Sequence, residues 1–409
     1  MTEYEKIYAF GNLYRAYRKS SQGKHGKKEV IAFELKLSEN LWRLHDLLKT
    51  RKYRIPGYRH FMIHDPKERE IQALSFEDRV VQSSLCENIL KPWFEKRLIY
   101  DCAACREGKG THFAIRRLTG FLQEFYREHG TDGYFLKCDI RKYFNSIDHD
   151  ELKYLLRNYP DPEVKVFLYM IIDSFQTEPG KGLPMGNQSS QWFALYHLDR
   201  MDRIIKEKYQ IRFYTRYMDD LVLLHEDKDH LKACLSELNA AADELKLKFN
   251  EKTQLFPVSE GVDYLGWHFY LTENGKVIRR LRTSGKRRLK RRLRSFQERY
   301  RNGGITLEEI SRSMASYSGH LDHGHTWKLR NRLLSRFILT HASKEKRPSD
   351  SVKLPVDNVF QNKKEEDSKD HETVLEKTSL VSGSLMPCGS PWSADSPGSR
   401  NGESHAGGR

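Results

Sequence analysis

The feature that most constrains this 409-residue chain is the tetrapeptide Tyr217-Met218-Asp219-Asp220, set between two apolar runs, IRFYTRY (211–217) and LVLLHE (221–226). Aromatic and β-branched runs separated by a short polar break read as an antiparallel hairpin. Its tip then carries two adjacent carboxylates, which repel each other unless a cation joins them. Hard oxygen ligands suit Mg²⁺, which binds through one or two carboxylates together with substrate phosphates. Asp-Asp is also ordinary turn chemistry, so the hairpin alone does not decide.

A second acidic strand end changes the balance. GYFLKCDI (133–140) reads as a short apolar strand delivering Asp139. On a strand beside the hairpin, Asp139 would face Asp219, and the two would hold a pair of Mg²⁺ ions for in-line phosphoryl displacement. Helical periodicity is expected over 148–159 and 163–175, over 188–209 as one long amphipathic helix, and over 227–249. The order of strand, two helices, hairpin, helix and strand fits an α+β palm-like domain, a small antiparallel sheet with helices on one face. Upstream, residues 1–50 read as helical on Leu37, Leu41, Leu44 and Leu48. A hairpin-bearing stretch follows, and then a helix from about Glu77 to Trp93.

Charge adds a partner class. The chain has 71 Lys+Arg against 56 Asp+Glu, a formal charge of +15. Residues 343–409 are nearly balanced, so the excess lies upstream; it suits a polyanion, although a solvated basic surface would also carry it. The density peaks at 279–301, where Glu298 is the sole acid and Leu289, Leu293, Phe296 and Tyr300 form one apolar stripe of a helix. Arg287, Arg288 and Arg291 on its other faces are nucleic-acid contacts in this reading. Residues 343–409, rich in Ser, Gly and Pro, are expected to be a disordered tail. A mean hydropathy of −0.75 and no long apolar run argue against a membrane span. With no signal-peptide pattern, the expected location is cytoplasmic and the cysteines reduced; Cys102 and Cys105 could otherwise form half of a metal site. His320, His323 and His325 are expected in a loop that binds nucleic acid or packs on the palm.

KCDIRKYFNSID, LPMGNQSSQ, RYMDD, NEKTQ and YLGW occur in the order of the palm motifs of reverse transcriptases, and the chain resembles that family over roughly residues 30–340. The resemblance implies an RNA-directed DNA polymerase with an α+β right-hand fold. N-terminal helices and fingers would span 1–132, a palm with a small antiparallel sheet 133–270, and a helical basic thumb 271–342. It implies two Mg²⁺ ions, replaceable by Mn²⁺, and as partners template RNA, a cDNA primer-template and dNTPs, with no membrane.

By the same resemblance Asp139, Asp219 and Asp220 are the metal-binding aspartates, and Ile140 offers its carbonyl to a metal. Phe144 closes over the sugar and disfavours a 2′-hydroxyl, unless it is a core aromatic. Lys67 and Arg69 take the incoming triphosphate, unless they belong to a plain surface hairpin. Lys252 protonates the leaving pyrophosphate, an exposed lysine being the alternative. Arg106 contacts template or phosphate, Tyr217 and Met218 line the nucleic-acid side of the catalytic turn, and Leu265 and Gly266, between Tyr264 and Trp267, form a primer-grip turn.

Many family members carry Gln where this chain has Met185, before Gly186, and Pro where it has Gln191. This GxxxSQ form resembles the reverse transcriptases of diversity-generating retroelements. It implies mutagenic retrohoming with errors at adenines, because discrimination by shape amounts to only about 1–3 kcal/mol, and a small basic accessory protein as partner. Phage-defence (antiviral), retron-type and group II intron-like enzymes, or a non-catalytic RNA-binding scaffold, are the alternatives.

Overall fold

The computed structural model describes residues 1–64 and 68–341, together with the backbone of Val352–Lys353. The chain opens with α1 (Glu3–Tyr8), whose first turn is closed by a capping box between Thr2 and Glu5. Three further helices follow, α2 (Phe10–Ser21), α3 (Lys28–Glu34) and α4 (Leu37–Lys49). Leu41, Leu44 and Leu48 are buried, as their spacing demands. Next, β1 (Arg59–Ile63) and β2 (Arg69–Ala73) pair antiparallel with Phe61 opposite Ile71.

The helix expected over 77–93 is interrupted. It starts as α5 (Phe76–Leu85), capped by Ser75, widens into a π-type turn at Cys86–Leu90, and resumes as α6 (Lys91–Glu95). Pro92 has no N–H for the Asn88 carbonyl and its ring crowds that position; the backbone widens there, and the Lys91 N–H reaches Cys86 instead.

The central unit begins with α7 (Thr111–His129) and β3 (Tyr134–Asp139), followed by α8 (Tyr143–Ser146), α9 (His149–Leu155) and α10 (Pro162–Asp173). Asp148 and Asp161 cap the last two, each accepting from two backbone amides of the first turn. The long helix expected over 188–209 is instead α11 (Gln188–His197) and α12 (Asp199–Arg203), broken at the buried Leu198 and ending in a π-type turn at Ile204–Lys208. After the break Asp202 is fully buried against a strand, a position a straight amphipathic helix would not give a carboxylate. The hairpin follows as β4 (Phe213–Tyr217) and β5 (Asp220–His225), then α13 (Lys228–Glu244) and β6 (Gln254–Pro257).

These strands form one antiparallel sheet in the order β4-β5-β3-β6. Strand alternation sends Leu136, Cys138, Leu221 and Leu223 into a core shared with the N-terminal helices and α9–α13. Phe135, Phe213, Val222 and Leu224 face the opposite way, into a core with Leu118, Phe121 and Phe125 of α7. The sheet is therefore covered on both faces, whereas the sequence pattern led us to expect helices on one. The second cover is α7, which precedes the palm strands in sequence and packs on β4.

A second sheet comprises β7 (Val262–Tyr264), β8 (Trp267–Leu271) and β9 (Val277–Leu281). The expected palm-to-thumb boundary at 270/271 falls inside it. The basic helix is α14 (Thr283–Arg301); it starts later than 279 because Arg279 and Arg280 are strand residues of β9. Leu289, Leu293, Phe296 and Tyr300 are buried as one stripe, each contributing about 1.5–3 kcal/mol of burial. The chain continues through α15 (Leu307–Leu321) and α16 (Trp327–Leu334) to β10 (Ile338–Leu339), which pairs with β11 (Val352–Lys353). The rest of the expected disordered tail lies outside the described residues. Among the described residues no helix is long and apolar enough to cross a membrane.

Candidate active site

The β4–β5 hairpin turns through Met218, whose φ of 56° is left-handed, so β5 begins at Asp220 and Tyr217 pairs with Asp220. On the other side of β5, Asp139 at the end of β3 stands in register with Asp220. The carboxylate across the ladder from Asp139 is thus Asp220, where sequence reasoning had placed Asp219. Asp219 occupies the tip, because the tight loop consists of Met218 and Asp219 alone.

Three carboxyls gathered at one strand end are electrostatically costly. Burial pushes Asp219 up to about 6, and Asp139 adds to the effect. Burial likewise raises Asp220 to about 6, against the opposing pull of Lys137, with Asp139 and Asp219 raising it further. The Lys137 ammonium is 3.3 Å from Asp220 Oδ1, and it also donates to the Asp263 carbonyl. Asp220 Oδ1 is buried, and the Lys137 ammonium is the cation that faces it. Asp139 is held by Asn250, whose backbone N–H donates to the Asp139 carbonyl at 2.7 Å and whose side chain donates to Oδ2 at 3.1 Å. Ile140 is buried and bridges to Phe249.

Beneath the turn lies a buried bracket that the motif reading missed. Arg216, fully buried on β4, donates to both oxygens of Asp202, from Nε at 2.8 Å and from Nη2 at 2.5 Å. The same guanidinium donates to the carbonyls of Leu195 on α11 and Met218 in the β4–β5 turn, at 3.0 and 3.1 Å. Tyr214, two residues earlier and so on the same strand face, donates to Asp202 Oδ1 at 2.6 Å. An arginine inside an otherwise apolar strand was the available signal, since such a residue is rarely fully buried without a paired carboxylate.

On the fingers side, Arg69 opens β2 opposite Ile63 and is near enough to Asp219 to lower its pKa against the stronger effect of burial. Lys67 lies outside the described residues. The Met185 backbone N–H donates to the buried Gln72 side chain on β2 at 3.1 Å. Gly186 has φ 113°, and a Cβ there would stand 3.5 Å from Ile71. This turn and β2 thus form one wall, and Gln72 is a further residue that motif reading did not single out. Phe144 on α8 is half-buried, edge-on to Tyr143 at 5.8 Å, and Gln191 is half-buried on α11. Tyr217 accepts from the Thr111 hydroxyl at 3.4 Å.

Leu265 and Gly266 form the turn between β7 and β8 with φ of 48° and 88°, above the buried Tyr264 and Trp267. His320 packs on Trp267 at 5.3 Å, and His323 on His112 of α7 at 3.7 Å. The His325 amide donates to the Arg279 carbonyl of β9 at 2.9 Å. Gly324 lies so close to the Trp267 ring that a Cβ would collide with it. The histidine loop therefore docks against the β7–β9 sheet and α7. Arg287 and Arg291 are exposed on α14, and Arg288 is half-buried near His320. Lys252 is exposed just past Asn250, its N–H donating to Asn250 Oδ1.

Arg106 requires a correction. Its side chain is 7% exposed, paired with Glu95 at 2.7 Å and donating to the carbonyls of Ile99 and Cys102. Its donors are directed into its own loop and onto Glu95. Cys102 is buried, and burial pushes its thiol up to about 11.

Among the described residues no three acidic, His or Cys side chains close on a single point as a finished metal cage. The donor set nevertheless fits a hard divalent cation. Mg²⁺ takes few protein carboxylates and completes its shell with water and phosphate, and Asp220 offers a buried carboxylate, answered by the single Lys137 ammonium, beside Asp139 and Asp219, which repel it.

An antiparallel sheet covered on both faces and presenting acidic strand ends, a hairpin at one side and a basic helix beyond give the α+β right-hand polymerase fold. Residues 64–269 match the family described as reverse transcriptase (RNA-dependent DNA polymerase), and the chain belongs to that family. No curated protein matches it. Similar solved structures include apo telomerase from Candida tropicalis truncated from the C-terminal domain, 13% identical with a TM-score of 0.42, covering 57% of this chain and 58% of that one. Telomerase from Candida albicans in complex with a TWJ fragment of telomeric RNA is 14% identical with a TM-score of 0.43, covering 71% and 55%. The chain spans little more than half the length of these structures.

Proposed function

We propose that this protein is an RNA-directed DNA polymerase. The observation that carries the reading is the register pairing of Asp139 with Asp220, with Asp219 at the adjoining turn. These three carboxylates, with the Ile140 carbonyl, would hold two Mg²⁺ ions, or Mn²⁺ in their place. When bound, the ions supply the charge that activates a primer 3′-hydroxyl and neutralises the triphosphate. Arg69, with Lys67, orients the triphosphate by charge-assisted hydrogen bonds. Phe144 tests the sugar for a 2′-hydroxyl, Leu265 and Gly266 bring backbone close to the primer end, and Lys252 supplies a proton to the departing pyrophosphate. Arg287, Arg288 and Arg291 hold the phosphates of the template–primer duplex.

At a finer level the proposed role is mutagenic cDNA synthesis in a diversity-generating retroelement. What supports it is Met185, whose side chain offers no amide to the nascent base pair. A small basic accessory protein would then associate through the shared RNA.

Primer extension on an RNA template with dNTPs and Mg²⁺ tests both levels. DNA synthesis that disappears in Asp219→Ala/Asp220→Ala, with errors concentrated opposite adenine, is the expected result. Faithful product would discard mutagenesis and keep the polymerase. Wild type no better than the double variant, even with its native RNA, would leave a binding scaffold.

A further inference from the structure

One side of the molecule carries an open groove of about 340 Å³ that the polymerase reading does not use, lined by Tyr100, Phe113, Arg116, Arg117 and Gly120. The last four recur three and four residues apart and so share one face of α7. Tyr100 forms the facing wall, 63% exposed, with its ring edge-on to Phe113 at 5.5 Å. Gly120 keeps the floor open: a Cβ there would meet nothing within 4 Å.

The groove is also positively charged. Arg117 donates from Nε to Asp101 at 2.5 Å, but Asp101 also meets Lys206 at 2.9 Å, so one carboxylate answers two cations. Arg116 is exposed and has no ion-pair partner among the described residues. Lys109 places its ammonium 4.3 Å from the Tyr100 ring centroid and 5.2 Å from that of Phe113. Arg117 also lies over the Tyr100 ring at 5.4 Å and Lys109 donates to the Tyr100 carbonyl, so Arg116 is the lining cation without such a contact among the described residues. Exposed aromatic surface beside it suits a ligand with a flat π-face and a phosphate, which is a nucleotide. Thr111, at the start of the same helix, touches Tyr217 of the catalytic hairpin, and Gly120 is only about 14 Å further along the helix axis.

We propose that this groove binds one unpaired nucleotide of the RNA strand outside the polymerase cleft, its base against Tyr100 and its phosphate on Arg116 and Arg117. That the strand is RNA rests on the polymerase reading; the nucleotide chemistry of the groove does not. The test is photo-crosslinking of the full chain to a 4-thiouridine-substituted oligo(U) of about 12 nucleotides, with adducts mapped by mass spectrometry and affinity read by fluorescence anisotropy. Adducts at Tyr100 or Phe113 are expected, with a loss of about fivefold or more in affinity for Tyr100→Ala. Arg116→Glu should lower the log–log salt slope by about 0.7 or more. Both variants should extend a short primer-template like wild type. Adducts confined to other regions, or binding unchanged in both variants, would overturn the proposal. Adducts in the groove without DNA synthesis would leave it standing and sink the polymerase reading, whereas synthesis without such adducts would do the reverse.

Discussion

Arg216 grips Asp202 through two hydrogen bonds in the fully buried core, and the same guanidinium carries the Met218 carbonyl of the β4–β5 turn. The pair thereby ties the height of Asp219 and Asp220 to α11 and α12, which carry no catalytic carboxylate. Removing one partner leaves the other charge buried, so Arg216→Met or Asp202→Leu should each cost about 3–5 kcal/mol in thermal or chemical denaturation. The double variant should recover most of that stability and still synthesise DNA slowly, because Met218 lacks its donor. A double variant with wild-type kcat would show that the bracket only stabilises the fold.

The strained aspartates should be visible in the stability of the metal-free protein. Folding raises the pKa of Asp220 from 3.8 to about 6, so the folded state binds its proton more readily than the unfolded one and loses stability as pH rises through that window. Asp220→Asn is therefore expected to raise the unfolding free energy at pH 8 by an amount on the order of 1 kcal/mol, read as a higher Tm, and to change little near pH 4. Added Mg²⁺ should raise the Tm of wild type more than that of the variant. Equal Tm for the two proteins at pH 8 would contradict the cost of burying this charge.

Asn250 is expected to behave as a positioning residue. Asn250→Ala deletes a charge-assisted hydrogen bond to Asp139, a loss of about 1.5–3 kcal/mol. Single-turnover extension should slow at least about tenfold while the KM for dNTP stays close to wild type. A change confined to KM would place Asn250 in nucleotide binding instead.

The histidine loop should make the thumb acid-sensitive. Burial, with His112, His320 and Arg279 nearby, lowers His323 from 6.5 to about 4. The folded state holds this ring neutral, so stability is intact above pH 6.5 and declines as pH falls towards 4. His323→Gln should flatten the Tm profile across that interval. An unchanged slope would assign the acid sensitivity to other groups.

Met185→Gln tests the fidelity proposal directly. Restoring an amide beside the nascent base pair should reduce misincorporation opposite adenine several-fold, in line with about 1–3 kcal/mol of added discrimination. Sequenced products with an unchanged error spectrum would remove Met185 as the cause.

Much of the framework of the candidate site was legible in the sequence because it is local. Strand alternation, a tight turn and a carboxylate at a strand end are written within a few residues, so the hairpin at Asp219 and Asp220, the strand ending in Asp139 and the apolar stripe of α14 could all be read directly. What the chain order could not supply was partnership across distance. Register decided that Asp139 faces Asp220, since a slip of one residue moves every side chain to the other face. Tertiary packing alone joined Asn250 to Asp139 across 111 residues, Gln72 to Met185 across 113, and His323 to His112. It also turned Arg106 inward and laid α7 over the second face of the sheet. The buried charge of Arg216 shows the division: its position in an apolar strand signals that a partner must exist, but only the break at Leu198, which leaves Asp202 in the core, determines which carboxylate it is.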